Sequence, residues 1–532
     1  MSASARWRSF FQRLAVLLLA AVPATHAAQR RSDLPPHLDR LVRTAMRAFG
    51  TPGLSLAIVK NGRTVLAKGY GVRSIVTGAP VTAQTLFPIG SETKAFTTAA
   101  LALLVQEGKL KWSSHVAALL PGFRMYDPYA TAHMTVSDLL THRSGLGLGE
   151  GDLLVVPAST RTRANVVHAL RYLKPRTGFR AVFAYDNVLY MAAGSLVHAI
   201  SGERWSKFIR QRILDPLGMF DATTAYNPNA PNAVALHARI DGPLRGVGPL
   251  SVLRHWLNSP AADPAGGINA SARDMAKWMA MWEEDGRLPG GGRLLSAKSV
   301  HALWRPVMVV PADAFGPPSR TLPNPTLQDY ALGWFVEVDD GQKVVEHDGG
   351  VLGALSALYF IPARHVAFSI CINSEDVDTL QSLVYELLDY YLGEPAKNWV
   401  AVLVKQHQRQ VYEEWTELKQ LPRAYRPNDH KSLPTAGYAG TYADPWYGRL
   451  TIASRPGNKL SISMDETPGM RGALTHVAND VFATKWTQRG IPNAYVMFTV
   501  RGGRVAGIAM KPMYPWTDFS YDYGDLHFRP EQ

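Results

Sequence analysis

Three short stretches of this chain carry side chains that can make and break an acyl bond. The first is Ser91-Glu92-Thr93-Lys94, set within residues 88–96. Ser91 follows a short apolar run and opens a helical pattern over 93–106 that Gly108 closes. A serine at a helix start often serves only as an N-cap. Lys94, three residues on, shares its helical face. A serine hydroxyl is a weak nucleophile until a neighbouring base takes its proton, and a helix N-terminus adds partial positive charge where the alkoxide forms. This Ser-x-x-Lys occurs once in the chain. The second stretch, Tyr185-Asp186-Asn187, precedes a helical pattern over 188–199 and alone reads as a helix-entry turn. The third, His347-Asp348-Gly349-Gly350, lies between two strand patterns, where a hairpin turn explains it equally well. His142, in the loop after residues 139–141, reads as a hydrogen-bonded loop histidine.

The elements that position these stretches follow from periodicity. Residues 34–49 form an amphipathic helix pattern. Two strand patterns, 54–59 and 64–70, flank Lys60-Asn61-Gly62-Arg63, a strong hairpin signal. Thr135-Val136-Ser137-Asp138 has capping-box spacing with Asp as its fourth residue and opens a short helix. Helical patterns dominate 163–220, long Pro-, Asn- and Gly-rich loops cover 225–265, and Ser271 opens a helix through about Trp282. A Pro-rich loop, 305–328, leads to strand patterns at 331–337, 343–346, 354–360 and 366–372, then a helix over 377–391. Strands at both ends with helices between them predict one α/β sandwich in which the first hairpin pairs with the later strands. After a charged helical stretch (397–420) and a Pro-rich linker (421–434), short strands at 440–442, 449–452, 460–463, 494–498 and 505–508 predict a small all-β barrel.

Composition bounds the class. The chain has 532 residues, 46% of them hydrophobic, which suits one large domain and a smaller one. Arg6, Arg8 and Arg13 precede an apolar run over 14–24, followed by small residues up to Ala28. This is the pattern of a general secretory leader cleaved near Ala27 or Ala28, too short to span a bilayer. No other stretch has transmembrane length, so the predicted location is the periplasm or the medium. The single cysteine, Cys371, forms no internal disulfide and reads as a buried small hydrophobe. The net charge of +13 comes without a nucleic-acid-binding motif or a long basic run, which argues for a solvated surface and against nucleic acid as partner. No metal-ligand cluster and no cofactor fingerprint stand out, and no Gly-x-Ser-x-Gly is present.

Taken in order, the three motifs resemble the signature of the serine β-lactamase and penicillin-recognising superfamily: Ser-x-x-Lys, then Tyr-x-Asn, then Lys-Thr-Gly or His-x-Gly. The chain looks most like the class C-like branch, with its D-Ala-D-Ala carboxypeptidases, D-aminopeptidases and esterases. Residues 139–146, 216–219, 264–274 and 332–335 add to the likeness, which covers about 34–392. The C-terminal part is similar to the lipocalin-like domains attached to some members. The resemblance implies a β-lactamase-like α/β fold, an antiparallel sheet flanked by helices plus a helical subdomain, followed by a lipocalin-like barrel. The expected divisions are a leader (1–28), a hydrolase domain (29–394), a helical linker (395–434) and the barrel (435–532).

The resemblance also implies roles. Ser91 is the nucleophile, and Lys94 or Tyr185 is its base. Asn187, His347, Gly349 and Gly350 contact substrate, with the Ser91 and Gly350 amides forming the oxyanion hole. Where β-lactamases place a lysine for the substrate carboxylate, this chain has His347, a weaker anchor for an anion at pH 7. The expected function is an exported serine hydrolase of peptides, amides or esters. The alternatives are a class C-like β-lactamase and a non-catalytic penicillin-binding or sensing module. The complete Ser91, Lys94 and Tyr185 set favours an enzyme. The sequence leaves the substrate and the oligomeric state open.

Overall fold

Asn61 and Gly62 both take positive φ, 50° and 69°. That geometry matches a two-residue turn to the twist of its strands. The turn joins β1 (Gly53–Lys60) to β2 (Arg63–Gly71). The computed structural model describes residues 33–242, 244–253, 259–315, 322, 325–420 and 430–531. The expected leader and residues 421–429 of the expected linker lie outside the described residues.

Six further strands complete the sheet: β3 (Met308–Val309), β4 (Leu327–Tyr330), β5 (Phe335–Asp339), β6 (Gln342–Val351), β7 (Ala354–Ile361) and β8 (Val366–Ile372). Their order is β2-β1-β8-β7-β6-β5-β4-β3, antiparallel throughout. As expected, the first hairpin pairs with a late strand, Leu54 opposite Ile372 through Lys60 opposite Val366. All seven residues of β8 are buried, Cys371 among them.

One expectation needs correcting. The sequence places His347–Gly350 in a turn, but β6 runs on to Val351, with Gly349 opposite Ser356 and Gly350 opposite Leu355. The reversal comes at Leu352 and Gly353. The reason is steric: a Cβ on Gly349 would stand 2.0 Å from the Ile89 carbonyl, so only glycine lets β6 pass this close to the segment before Ser91. The stretch 305–328, expected as loop, also contributes β3 and the start of β4 at the sheet edge.

The helices that matter for the site are α1 (Leu38–Phe49), α2 (Thr93–Gln106), α3 (Val188–Ser201), α4 (Ala272–Glu283), α5 (Val377–Leu392) and α6 (Trp399–Gln420). Every residue of α2 from Thr93 to Leu104 is buried, as an Ala-, Leu- and Phe-rich helix requires. Phe96 of α2 stacks on Trp278 of α4 with ring centroids 3.8 Å apart. Trp282, Trp304 and Trp334 extend that aromatic layer. Ser271 caps α4 by accepting from the Asp274 amide. The Thr135–Asp138 capping arrangement is also present: the Asp138 carboxylate accepts from the Thr135 amide and hydroxyl at 2.8 and 2.6 Å. The helix it opens is only a single 3-10 turn, Asp138–Leu140, and the chain leaves helical geometry by His142, whose φ is 51°; Asp138 also pairs with Arg143 and Arg180.

The C-terminal part is a closed barrel of eight antiparallel strands in sequence order: β9 (Gly440–Asp444), β10 (Gly448–Arg455), β11 (Lys459–Met464), β12 (Arg471–Ala478), β13 (Val481–Trp486), β14 (Ala494–Arg501), β15 (Arg504–Pro512) and β16 (His527–Pro530). Buried Leu450, Ile462, Phe482, Val496, Phe498 and Phe528 fill its interior. Three strands escaped the sequence reading. Two of them, β12 and β16, are only patchily apolar, carry Gly or Pro, which strands disfavour, and show no clean alternation. Residues His37–Gln532 form one compact unit. The barrel reaches the α/β part through Thr160 with Glu466, Arg161 with the Tyr447 carbonyl, Arg245 with the Gly490 carbonyl and Arg176 with Asp525.

Candidate active site

Ser91 occupies the single 3-10 turn Gly90–Glu92 that runs straight into α2. Gly90 holds φ at 49°, and a Cβ there would stand 2.6 Å from the Gly350 amide nitrogen. Two glycines thus let the turn carrying Ser91 abut β6, which brings the Ser91 and Gly350 backbones to one spot. Ser91 is partly open to solvent, whereas Lys94 is wholly buried.

The Lys94 amine sits 2.9 Å from Ser91 Oγ, 2.7 Å from Asn187 Oδ1 and 3.1 Å from the Ala265 carbonyl. Two of these partners are carbonyl oxygens, which only accept. A neutral amine has two N–H groups and one lone pair. Its N–H groups match Asn187 and Ala265, and its lone pair is left facing the Ser91 hydroxyl. Burial pulls Lys94 down to about 7, opposed by the charges of Asp152 and Asp186. On the other side of the nucleophile, Tyr185 shares a hydrogen bond with Ser91, and burial holds its phenol well above the usual value near 10. The Lys94 amine also lies over the Tyr185 ring, 4.8 Å from its centroid. Above pH 7 the resting pair is therefore a neutral amine and a phenol. The arrangement can accept the proton of Ser91 on one side and offer a proton from the other.

Behind this pair stand residues that fix its geometry. Asn187 donates to Asp152 at 2.8 Å, which orients its amide so that the oxygen faces Lys94. Asp152 is buried and pushed up to about 7, chiefly by desolvation. His142 is buried with φ at 51°; its Nδ1 accepts from the Asp186 amide at 3.1 Å, and its ring packs 4.1 Å from that of Tyr185. Burial depresses its pKa and keeps it neutral. This is the hydrogen-bonded loop histidine that its sequence context suggests.

The motif residues Ser91, Lys94, Tyr185, Asn187, His347, Gly349 and Gly350 all meet here, from three distant parts of the chain. His347 meets them in an unexpected way. Its Nδ1 pairs with the Asp348 carbonyl at 2.7 Å and its Nε2 with the Tyr330 hydroxyl at 3.1 Å. The carbonyl only accepts, so Nδ1 carries the proton and Nε2 accepts from tyrosine. Both nitrogens are committed, and burial with Lys94 nearby pulls the imidazole down to about 3. His347 is thus a buried, uncharged imidazole beside Tyr185, ring centroids 6.3 Å apart. Asp348, the next residue, is exposed.

Sequence reasoning missed Asp152 and Asp522. Asp522 belongs to the barrel, yet its carboxylate accepts from the Gly151 and Leu153 amides at 2.8 and 3.1 Å, and so secures the turn bearing Asp152. No local pattern could reveal a contact across some 370 residues. Among the described residues, no cluster of three or more His, Cys, Asp or Glu is arranged to hold a metal, and no helix is long and apolar enough to cross a membrane.

Comparison with known proteins puts this geometry in context. The family described as beta-lactamase matches residues 38–389, and a domain of unknown function, DUF3471, matches 425–530. An unguisins hydrolase of Aspergillus violaceofuscus is 28% identical over 524 residues, covering 90% of this chain and 89% of its own. A second, from Aspergillus campestris, is 30% identical over 435 residues, covering 77% and 76%. Among solved structures, an octameric penicillin-binding protein homologue from Pyrococcus abyssi aligns with a TM-score of 0.57 at 20% identity, over 90% of this chain and 98% of the other.

Proposed function

This chain belongs to the beta-lactamase family and is a serine hydrolase, and from that membership we propose that it cleaves peptide, amide or ester bonds through an acyl-enzyme on Ser91. The observation that carries the reading is the amine of Lys94, held near neutrality 2.9 Å from Ser91 Oγ. Ser91 Oγ attacks the substrate carbonyl carbon as its proton passes to Lys94. Charge gathers on the carbonyl oxygen, where the Ser91 and Gly350 amides receive it. Collapse breaks the bond to the leaving group, which takes a proton from the Tyr185 phenol, and Lys94 returns its proton to Tyr185. Water then repeats the sequence on the acyl-enzyme and frees Ser91.

His347 bears on the substrate class. A neutral imidazole with both nitrogens engaged offers no positive charge to a carboxylate beside the scissile bond. Substrates without that carboxylate, peptides, amides and esters, are therefore preferred over penicillins and cephalosporins. The test combines two measurements. A fluorophosphonate should label Ser91, located by mass spectrometry of the peptide that carries it. Steady-state assays should give higher kcat/KM for short-chain esters or D-aminoacyl amides than for a chromogenic cephalosporin. An adduct elsewhere removes the nucleophile assignment, a preference for the cephalosporin makes β-lactamase the better description, and labelling without turnover points to a sensor.

Export is part of the same proposal, motivated by the arginines and apolar run at the N-terminus. Cell fractionation should recover a chain beginning near Ala28 or Gln29 in the periplasm or medium. An intact Met1 terminus in the cytoplasm would refute it.

A further inference from the structure

Two exposed aromatic rings stand at the mouth of the site, brought there by different parts of the chain. Phe315 is 52% exposed and comes from the loop between β3 and β4; Phe519 is 36% exposed and comes from the barrel segment between β15 and β16. Their centroids lie 5.9 and 6.4 Å from that of Tyr185 and 6.5 Å from each other. Buried Phe183 and Phe335 close the floor, each about 6 Å from Phe315. Solvent-facing aromatics of this size, grouped beside a nucleophile, mark a place where an apolar group is received.

Phe519 packs tightly against the α/β part of the chain. Its backbone lies on Gly149: a Cβ on that glycine would be 2.6 Å from the Phe519 ring and 2.7 Å from its carbonyl oxygen. The Gly149 amide in turn donates to the Tyr185 carbonyl at 2.9 Å. Three residues on, Asp522 grips the Gly151 and Leu153 amides. Phe519 is thus tied to the backbone that carries Tyr185, although it belongs to the barrel.

We propose that Phe519 and Phe315 form an aromatic subsite beside Tyr185 that takes an apolar or aromatic leaving group, so that the barrel helps to select the substrate. The side of the cleft follows from the reading of Tyr185 as the leaving-group proton donor, on which this inference rests: groups flanking that phenol face the departing amine or alcohol. Such a contact acts only while the leaving group is still attached. It therefore enters acylation and not hydrolysis of the acyl-enzyme.

The test uses the full-length chain and two acetylated substrates, one with a benzyl and one with a methyl leaving group. Phe519→Ala should lower kcat/KM for the benzyl substrate about 10-fold, with the methyl substrate within about twofold of wild type. Phe315→Ala should act in the same direction, Phe519→Leu should recover most of the loss, and hydrolysis of the common acetyl-enzyme should stay unchanged. Fluorophosphonate labelling of Ser91 is followed in each variant. If wild type is not labelled at Ser91, the catalytic reading itself fails. If labelling is normal but Phe519→Ala leaves the benzyl-to-methyl ratio unchanged, or changes a series of acyl groups instead, the leaving-group subsite is overturned.

Discussion

Lys94→Arg is expected to lower kcat by about 10²- to 10⁴-fold, the usual cost of losing a positioned general base. Arginine keeps the positive charge and much of the reach of lysine but does not give up its proton in a protein. The substitution therefore separates charge from basicity. Ser91→Ala sets the floor, about 10⁶-fold below wild type if nucleophile and base act as one unit. The pH dependence supplies an independent check. Lys94 is held at about 7 by burial, and it works in its deprotonated form. Activity is therefore present above pH 7 and lost as the pH falls through 7 and the amine takes a proton. Asp152, also near 7 and one hydrogen bond from Asn187, titrates in the same window, so the acid limb belongs to the pair. Near-normal kcat in Lys94→Arg, or a wild-type rate that falls as pH rises through 7, would move the base elsewhere.

Gly349→Ala is expected to cost about 10²- to 10³-fold in kcat, comparable to removing an oxyanion donor. The added Cβ would stand 2.0 Å from the Ile89 carbonyl and 2.4 Å from Ser356 Oγ. Ser356 itself donates to that same Ile89 carbonyl at 3.0 Å, so the contact is locked from both sides. β6 and the turn bearing Ser91 must separate, and the Gly350 amide moves away from Ser91. Gly350→Ala is the matched control: its Cβ meets only a Leu355 methyl, at 3.5 Å, an ordinary contact. Circular dichroism on both variants, with rates of fluorophosphonate labelling, distinguishes a displaced amide from general unfolding. A Gly349→Ala enzyme within twofold of wild type would mean that the close approach of β6 does not matter to catalysis.

The chemistry was legible in the sequence because it depends on residue type and short spacing. Ser91 and Lys94 are three apart on one helix, and a helix start is a local property. Asn61-Gly62 specified its hairpin, and 54–59 and 366–372 were legible as strands because each is a short, nearly continuous apolar run that the fold buries on both faces. The charge states were not legible. Lys94 falls to about 7 and His347 to about 3 because distant segments shut water out around them, and desolvation is a property of the assembled interior. His347 shows the limit most clearly. Its residue type gave its possible charge and hydrogen bonds, but that Tyr330 and the Asp348 carbonyl engage both nitrogens was decided by the fold. The barrel shows it from the other direction: short strands foretold its existence. That Asp522 would hold the turn of Asp152 and Phe519 would lie against Gly149 was decided by how the two parts pack, since contacts between residues hundreds of positions apart leave no periodic trace.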